Sequence, residues 1–190
     1  LLVLPAPIVT VLFQRGQFGG YDALATAAAL AAVASGLPAY VLIKALAPGF
    51  FAREDTATPV KIAVGALILN VAVALALMPM FAHVGIALAT AISAWANAGT
   101  LAVLLYRRGL LAPDERLRTR LVGVILSSAV MAAVLWAAVR ALTPWLVAGS
   151  LQGIVALALV VIVGIVVYAI SAQLLGVMRW TEMRALLRRA

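Results

Sequence analysis

Residues 62–106 read IAVGALILNVAVALALMPMFAHVGIALATAISAWANAGTLAVLLY, 45 consecutive positions without a charged side chain. A membrane-spanning helix needs about 20 predominantly apolar residues, so this stretch is too long for one crossing and has to turn once. The segment 78–85, with Pro79, His83 and Gly85, divides it, which predicts helices over 62–81 and 84–106. Working outward, charge-free stretches also cover residues 1–14, 23–43, 121–139 and 141–178. They predict further helices over 23–51, 121–142 and 152–176, and a partial one over 1–13. The expected fold is an all-α integral membrane bundle, with five complete transmembrane helices plus part of a sixth. Segment 1–13 is too short to span and lacks the basic region of a signal peptide, and Leu1 is not a methionine. The chain is therefore expected to begin inside a helix, as the C-terminal part of a longer protein.

Composition agrees. Of 190 residues, 66% are hydrophobic and 11% charged, against roughly 45–50% and about 25% in soluble domains. That balance excludes a soluble enzyme, a disordered tail and a nucleic-acid-binding module, because a soluble fold needs far more polar surface. The net charge of +8 comes from basic residues between the apolar runs. They act as topology signals and contacts for lipid head groups. The sequence holds no cysteine and one histidine, which leaves no thiolate metal site and no His-rich cluster. No nucleophile–base arrangement, P-loop or dinucleotide fingerprint is present, so no enzyme is expected.

Alternating helices divide the loops into two sets. One holds Arg53, Lys61, Arg107, Arg108, Arg116, Arg118, Arg120, Arg179, Arg184, Arg188 and Arg189; the other holds only Arg15 and Arg140. Basic residues collect on the cytoplasmic side, so the C-terminus is expected in the cytoplasm. The turns near Arg15, His83 and Pro144 then face outward. Trp145 and Trp180 lie near opposite ends of the last helix, as interfacial anchors.

The helices differ in chemistry. Helix 23–51 contains Pro38, Pro48 and Gly49. Each proline removes one backbone hydrogen bond and clashes one turn earlier, freeing the carbonyls of Ala34 and Lys44, so these residues are hinge candidates. Helix 62–81 starts at Thr58-Pro59, a capping residue before a proline at the first helical position, and carries Asn70 at its middle. Helix 84–106 places Thr90, Ser93, Asn97 and Thr100 on one face, either as helix–helix glue or as a transport path. Lys44 is the one formal charge well inside an apolar run. It either marks a pathway or snorkels to the interface. The transport-path candidates are thus Lys44, Asn70, Thr90, Ser93 and Asn97. Glu54-Asp55 and Asp114-Glu115 sit in basic loops, where charge balance outweighs acid–base chemistry. Helices 121–142 and 152–176 are almost purely apolar and are expected to form an outlying pair offering an apolar groove. Gly153 and Gly164, with Ala156, Ala158 and Ala169, would allow their close approach.

Several consecutive segments resemble the lipid II flippase family, MurJ (MviN). They are Val11-Leu-Phe-Gln-Arg-Gly-Gln-Phe18, Gly36-Leu-Pro, and Lys44-Ala-Leu-Ala-Pro-Gly-Phe-Phe-Ala-Arg-Glu-Asp-Thr-Ala-Thr-Pro-Val-Lys61. His83-Val-Gly-Ile-Ala-Leu-Ala-Thr90 and Trp95-Ala-Asn-Ala-Gly99 are similar as well. The likeness covers roughly the first 108 residues. It implies a fragment of a fourteen-helix transporter of the multidrug/oligosaccharidyl-lipid/polysaccharide exporter superfamily. Residues 1–106 would be later helices of the second lobe; 107–190 would be a basic cytoplasmic loop and two additional C-terminal helices. The implied function moves lipid II, the undecaprenyl-pyrophosphate-linked peptidoglycan precursor, to the outer leaflet of the bacterial inner membrane by alternating access. A related exporter of drugs or another lipid-linked oligosaccharide is the alternative. The implied partners are lipid II, membrane phospholipids and the remainder of the same polypeptide upstream of Leu1, with no nucleic acid. No cofactor is implied beyond a sodium ion held in some members between the helices corresponding to 62–81 and 84–106. Asn70 and Thr90 match two of its ligands, but Ala74 stands where an acid is expected.

Overall fold

The computed structural model of the chain describes residues 1–111 and 115–176, with the side chain of Arg116 set aside. The expectations for Asp114, Arg179, Trp180, Arg184, Arg188, Arg189 and the Arg116 side chain lie outside the described residues. Among those residues every regular element is helical: α1 (Pro5–Phe13), α2 (Gly20–Phe51), α3 (Ala57–Arg107), α4 (Glu115–Leu142), a 3-10 turn (Thr143–Trp145) and α5 (Leu151–Leu174). Four of these helices are long and apolar enough to cross a membrane.

α3 is one helical run only in name. Ala82, at φ 47° and ψ −128°, breaks it. Asn70 and Ser93 hydrogen-bond across the break at 3.0 Å. In a straight helix, at about 1.5 Å per residue, they would be roughly 35 Å apart. α3 is therefore a hairpin with a first arm, 57–81, and a second arm, 83–107. Each arm is longer than the ~30 Å hydrocarbon core. The turn falls inside the expected 78–85 segment. Gly85 is required there, since a Cβ on it would lie 2.7 Å from the Leu77 carbonyl oxygen.

Three helix starts differ from the sequence reading, each for a local reason. α2 begins at Gly20 because the Asp22 carboxylate accepts the Gly19 N–H. α4 begins at Glu115, an acid in the first turn facing the positive end of the helix dipole. α3 begins at Ala57, one residue before Thr58. Its first turn is capped by Asp55, whose Oδ1 accepts the Thr58 N–H at 3.0 Å. Thr58 is thus capped rather than capping, and Pro59 is buried in the first turn.

The chain forms two compact units. Among the described residues, the first comprises 1–9 and 19–111, the second 10–18 and 115–176. In the first, α2 packs along α3. Gly36 lies against Ala91, where a Cβ would come within 3.0 Å of the Ala91 Cα. Ala39, Ala94 and Ala98 form one small core, and Phe50, Leu101 and Leu105 another nearer the end of α2. In the second unit α4 packs on α5. Gly164 abuts Leu135 there, with only 2.8 Å between its would-be Cβ and Leu135 Cδ2. The expected close approach at Gly164 is present. Gly153 does something else: its N–H is capped by the Ser150 hydroxyl at 3.0 Å, which starts α5. The carbonyl of Val11 accepts the Gly149 N–H at 3.3 Å and so joins the end of α1 to this unit.

Candidate functional site

A polar cleft in the first unit

α2 and both arms of α3 enclose an open cleft of about 190 Å³. Tyr40 and Ile43 line it from α2, Asn70 from the first arm, and Ser93 and Asn97 from the second. Its walls are otherwise apolar and mostly alanine. The hydrogen bonding is a relay across the hairpin. The Asn70 amide donates to Ser93 Oγ at 3.0 Å and reaches Thr90 Oγ1 at 3.5 Å. Ser93 in turn donates to the Thr90 carbonyl, and Thr90 to the Ile86 carbonyl, each at 3.0 Å. Ser93 is buried. Asn97 Oδ1 is also buried and has no hydrogen-bond partner among the described residues. A buried unpaired acceptor costs about 1–3 kcal/mol, so the cleft is a place where a donor from outside this chain would be bound favourably.

Three of the five transport-path candidates line the cleft, Asn70, Ser93 and Asn97, and Thr90 adjoins them through Asn70. Lys44 is exposed and is not among the lining residues. Thr100, on the same face of the second arm, turns back to the Ala96 carbonyl at 2.7 Å. Of the hinge candidates, Pro38 and Pro48 are exposed on α2, while Gly49 packs against Leu105 at 3.0 Å from its would-be Cβ.

Two contacts lay beyond the sequence reading. The Trp95 indole N–H donates to the Ser35 carbonyl at 3.0 Å, three residues before Pro38. At the other end of α2, Arg108 Nη1 meets Asp55 Oδ2 at 2.6 Å. Thr58 Oγ1 donates to the same carboxylate at 2.7 Å, and the Arg108 guanidinium lies 5.3 Å from the centre of the Phe50 ring. The Arg108 guanidinium and then the Thr58 donors hold the Asp55 carboxyl down at about 2. Asp55 does balance charge, but in an ordered cluster rather than in free solvent. The signal was the acid–x–x–Thr spacing before a helix, a capping pattern.

An apolar groove in the second unit

Leu142, Trp145, Leu151, Val155 and Leu159 line an open groove of about 380 Å³ whose exposed surface is entirely apolar. The turn Thr143–Trp145 forms one end of it. Arg140 stacks on Trp136 at 4.6 Å, leaving its charge near the end of α4.

Kinship

Long apolar helices, a hairpin folded back inside one of them and a polar cleft between packed helices define a multi-pass integral membrane protein. The family profile described as lipid II flippase MurJ matches residues 1–157. The chain belongs to this family. It is 41% identical over 178 residues to a protein of Rhizobium tropici named "Probable lipid II flippase MurJ", covering 93% of this chain and 33% of that protein. A protein of the same name from Rhizobium meliloti is 46% identical over 139 residues, covering 73% of this chain and 26% of the relative. "Lipid II flippase MurJ" of Burkholderia cenocepacia is 36% identical over 129 residues, covering 66% and 25%. The chain thus spans about a third or less of the length of these curated relatives.

Proposed function

We propose that this chain supplies later helices of the second lobe, residues 1–106, and the basic loop and C-terminal helix pair, residues 107–190, of a fourteen-helix transporter. The whole protein would flip lipid II from the cytoplasmic to the outer leaflet of the bacterial inner membrane without covalent chemistry. In this reading the C-terminus and Arg108 are cytoplasmic, and His83 is outside. The observation that carries it is the polar cleft built from Asn70, Ser93 and Asn97 inside an otherwise apolar bundle. Polar side chains at membrane depth face the protein interior or a watery path rather than lipid. The apolar groove at Trp145, Val155 and Leu159 has the surface an isoprenoid tail needs.

The same cleft does not suit a resident sodium ion. A sodium site needs convergent oxygens, yet the Asn70 amide nitrogen points at Thr90 and Ser93. Ala74, one turn beyond Asn70, contributes no carboxylate. The reading therefore takes no coupling ion at Asn70 and Thr90.

The test is genetic and chemical. The complete polypeptide is supplied to a bacterium depleted of its own lipid II flippase, and lipid II on the outer leaflet is measured by cleavage with an externally added enzyme. Restored cleavage and growth support the reading. A well-expressed protein that restores neither overturns it.

A further inference from the structure

α2 and the second arm of α3 touch at a series of points that lie before and after both prolines along α2. Gly36 presses on Ala91, with a would-be Cβ 3.2 Å from the Ala91 Cβ. Beside it, the Trp95 indole N–H is bonded to the Ser35 carbonyl. Immediately after Pro38, Ala39 is fully buried between Ala94 and Ala98. Just after Pro48, Gly49 lies against Leu105, and Phe50 is fully buried with Leu101 and Leu105. The end of the pair is closed by Arg108, which bonds Asp55 and Thr58 and covers the Phe50 ring.

We propose that α2 from Ser35 to Phe50 and the second arm from Ala91 to Arg108 form one rigid block, stapled at its end by the Asp55–Arg108 pair. Pro38 and Pro48 then lie in a fixed stretch of one continuous helix, not at moving joints. A helix joint needs room on its inner side and free backbone partners. Here Ala39, next to Pro38, and Phe50, two residues beyond Pro48, are fully buried, and at Gly36 any side chain would press on the Ala91 backbone. Close-packed interfaces of this kind shift between discrete arrangements or not at all. Asp55 also serves two elements at once, since it caps the first arm and pairs with the end of the second. Breaking the staple would therefore uncap α3 as well as free Arg108.

Two experiments on the complete polypeptide, freed of any other cysteine, test this. The first replaces the staple covalently, as Asp55→Cys with Arg108→Cys joined by a short bis-methanethiosulfonate bridge. A direct disulfide is avoided because an arginine reaches farther than disulfide geometry permits. The bridged protein is expected to flip lipid II with no loss relative to its reduced form. Loss on bridging, reversed by reductant, overturns the proposal. The second does not depend on the flipping assay, so it separates failure of the rigid block from failure of the proposed function. Spin labels at Val41 and Val103, both exposed, report the distance between the two helices in vesicles with and without lipid II. One population with no shift is expected. A second population, displaced by as much as a helical turn of about 5 Å, overturns the rigid block.

Discussion

Asn70 donates its side-chain amide to Ser93 at 3.0 Å, and this bond joins the two arms of α3 at their middles. With the longer reach of Asn70 to Thr90, it is a polar contact between the arms in an otherwise apolar hairpin. Interhelical hydrogen bonds in membranes contribute about 0.6 kcal/mol on average and up to roughly 1.7. Asn70→Ala is expected to destabilise the folded protein by about 1 kcal/mol, and Ser93→Ala by a similar amount. The double variant should cost little more than either alone, because both remove the same bond. Unfolding free energies measured in micelles or bilayers check this. Fully additive losses would show that the bond carries no coupling.

The Asp55 carboxyl sits at about 2, below its ordinary 3.8, because of Arg108 and then Thr58. A lowered pKa stabilises the fold fully at pH above the ordinary value. The contribution is lost as pH falls through the lowered one. The staple should therefore be intact at pH 5 and above, and open between about pH 4 and 2. Carbon-13 detection of the Asp55 carboxyl should show a midpoint near 2, and Arg108→Gln should raise it toward 3.8. A native midpoint already near 3.8 would mean the pair does not form in solution.

Much of this architecture was legible because membrane chemistry is restrictive. Forty-five uncharged residues cannot make a single crossing, so a turn followed from length, and Pro79, His83 and Gly85 placed it near Ala82. Thr90, Ser93 and Asn97 shared a face by spacing, and the structure turns that face to Asn70. The rest depended on distances along the chain that periodicity does not encode. Arg108 lies 53 residues from Asp55, and Trp95 lies 60 from Ser35. Each pairing exists only once the length of both arms sets which residues meet. The α3 cap was displaced because the first capping-type residue before Pro59 is Thr58, while Asp55 has the carboxylate reach to accept its N–H. Lys44 is a path candidate because it is a charge well inside an apolar run, but α2 places it outside the cleft lining.

The turn of the hairpin holds a non-glycine residue at φ 47°, at Ala82. Such backbone costs of order 1–3 kcal/mol for a residue with a Cβ. Ala82→Gly should relieve that strain and raise stability by up to about 1 kcal/mol after the loss of unfolded-state stiffness. Gly85→Ala should do the reverse, since its Cβ would meet the Leu77 carbonyl oxygen at 2.7 Å. Thermal unfolding of the two variants side by side checks both signs. A destabilising Ala82→Gly would show that the turn is unstrained.

The second unit separates two kinds of position that look alike in an apolar sequence. Gly164 and Val160 are buried within the unit, and Gly164 abuts Leu135. Val155 and Leu159 line the open groove, and both are exposed. A bulky residue at Gly164 must push α4 from α5, because overpacking a close contact costs roughly 1–3 kcal/mol. Gly164→Trp should therefore lower folded yield and stability, whatever the groove does. Val155→Trp and Leu159→Trp add bulk into open space and should leave stability within about 0.5 kcal/mol. If the groove receives the lipid tail, these two variants should flip lipid II several-fold more slowly at normal expression. The measurement is outer-leaflet lipid II in cells, normalised to protein in the membrane. Normal flipping by both groove variants would reduce α4 and α5 to anchors, while normal stability of Gly164→Trp would mean that α4 and α5 are not closely packed there.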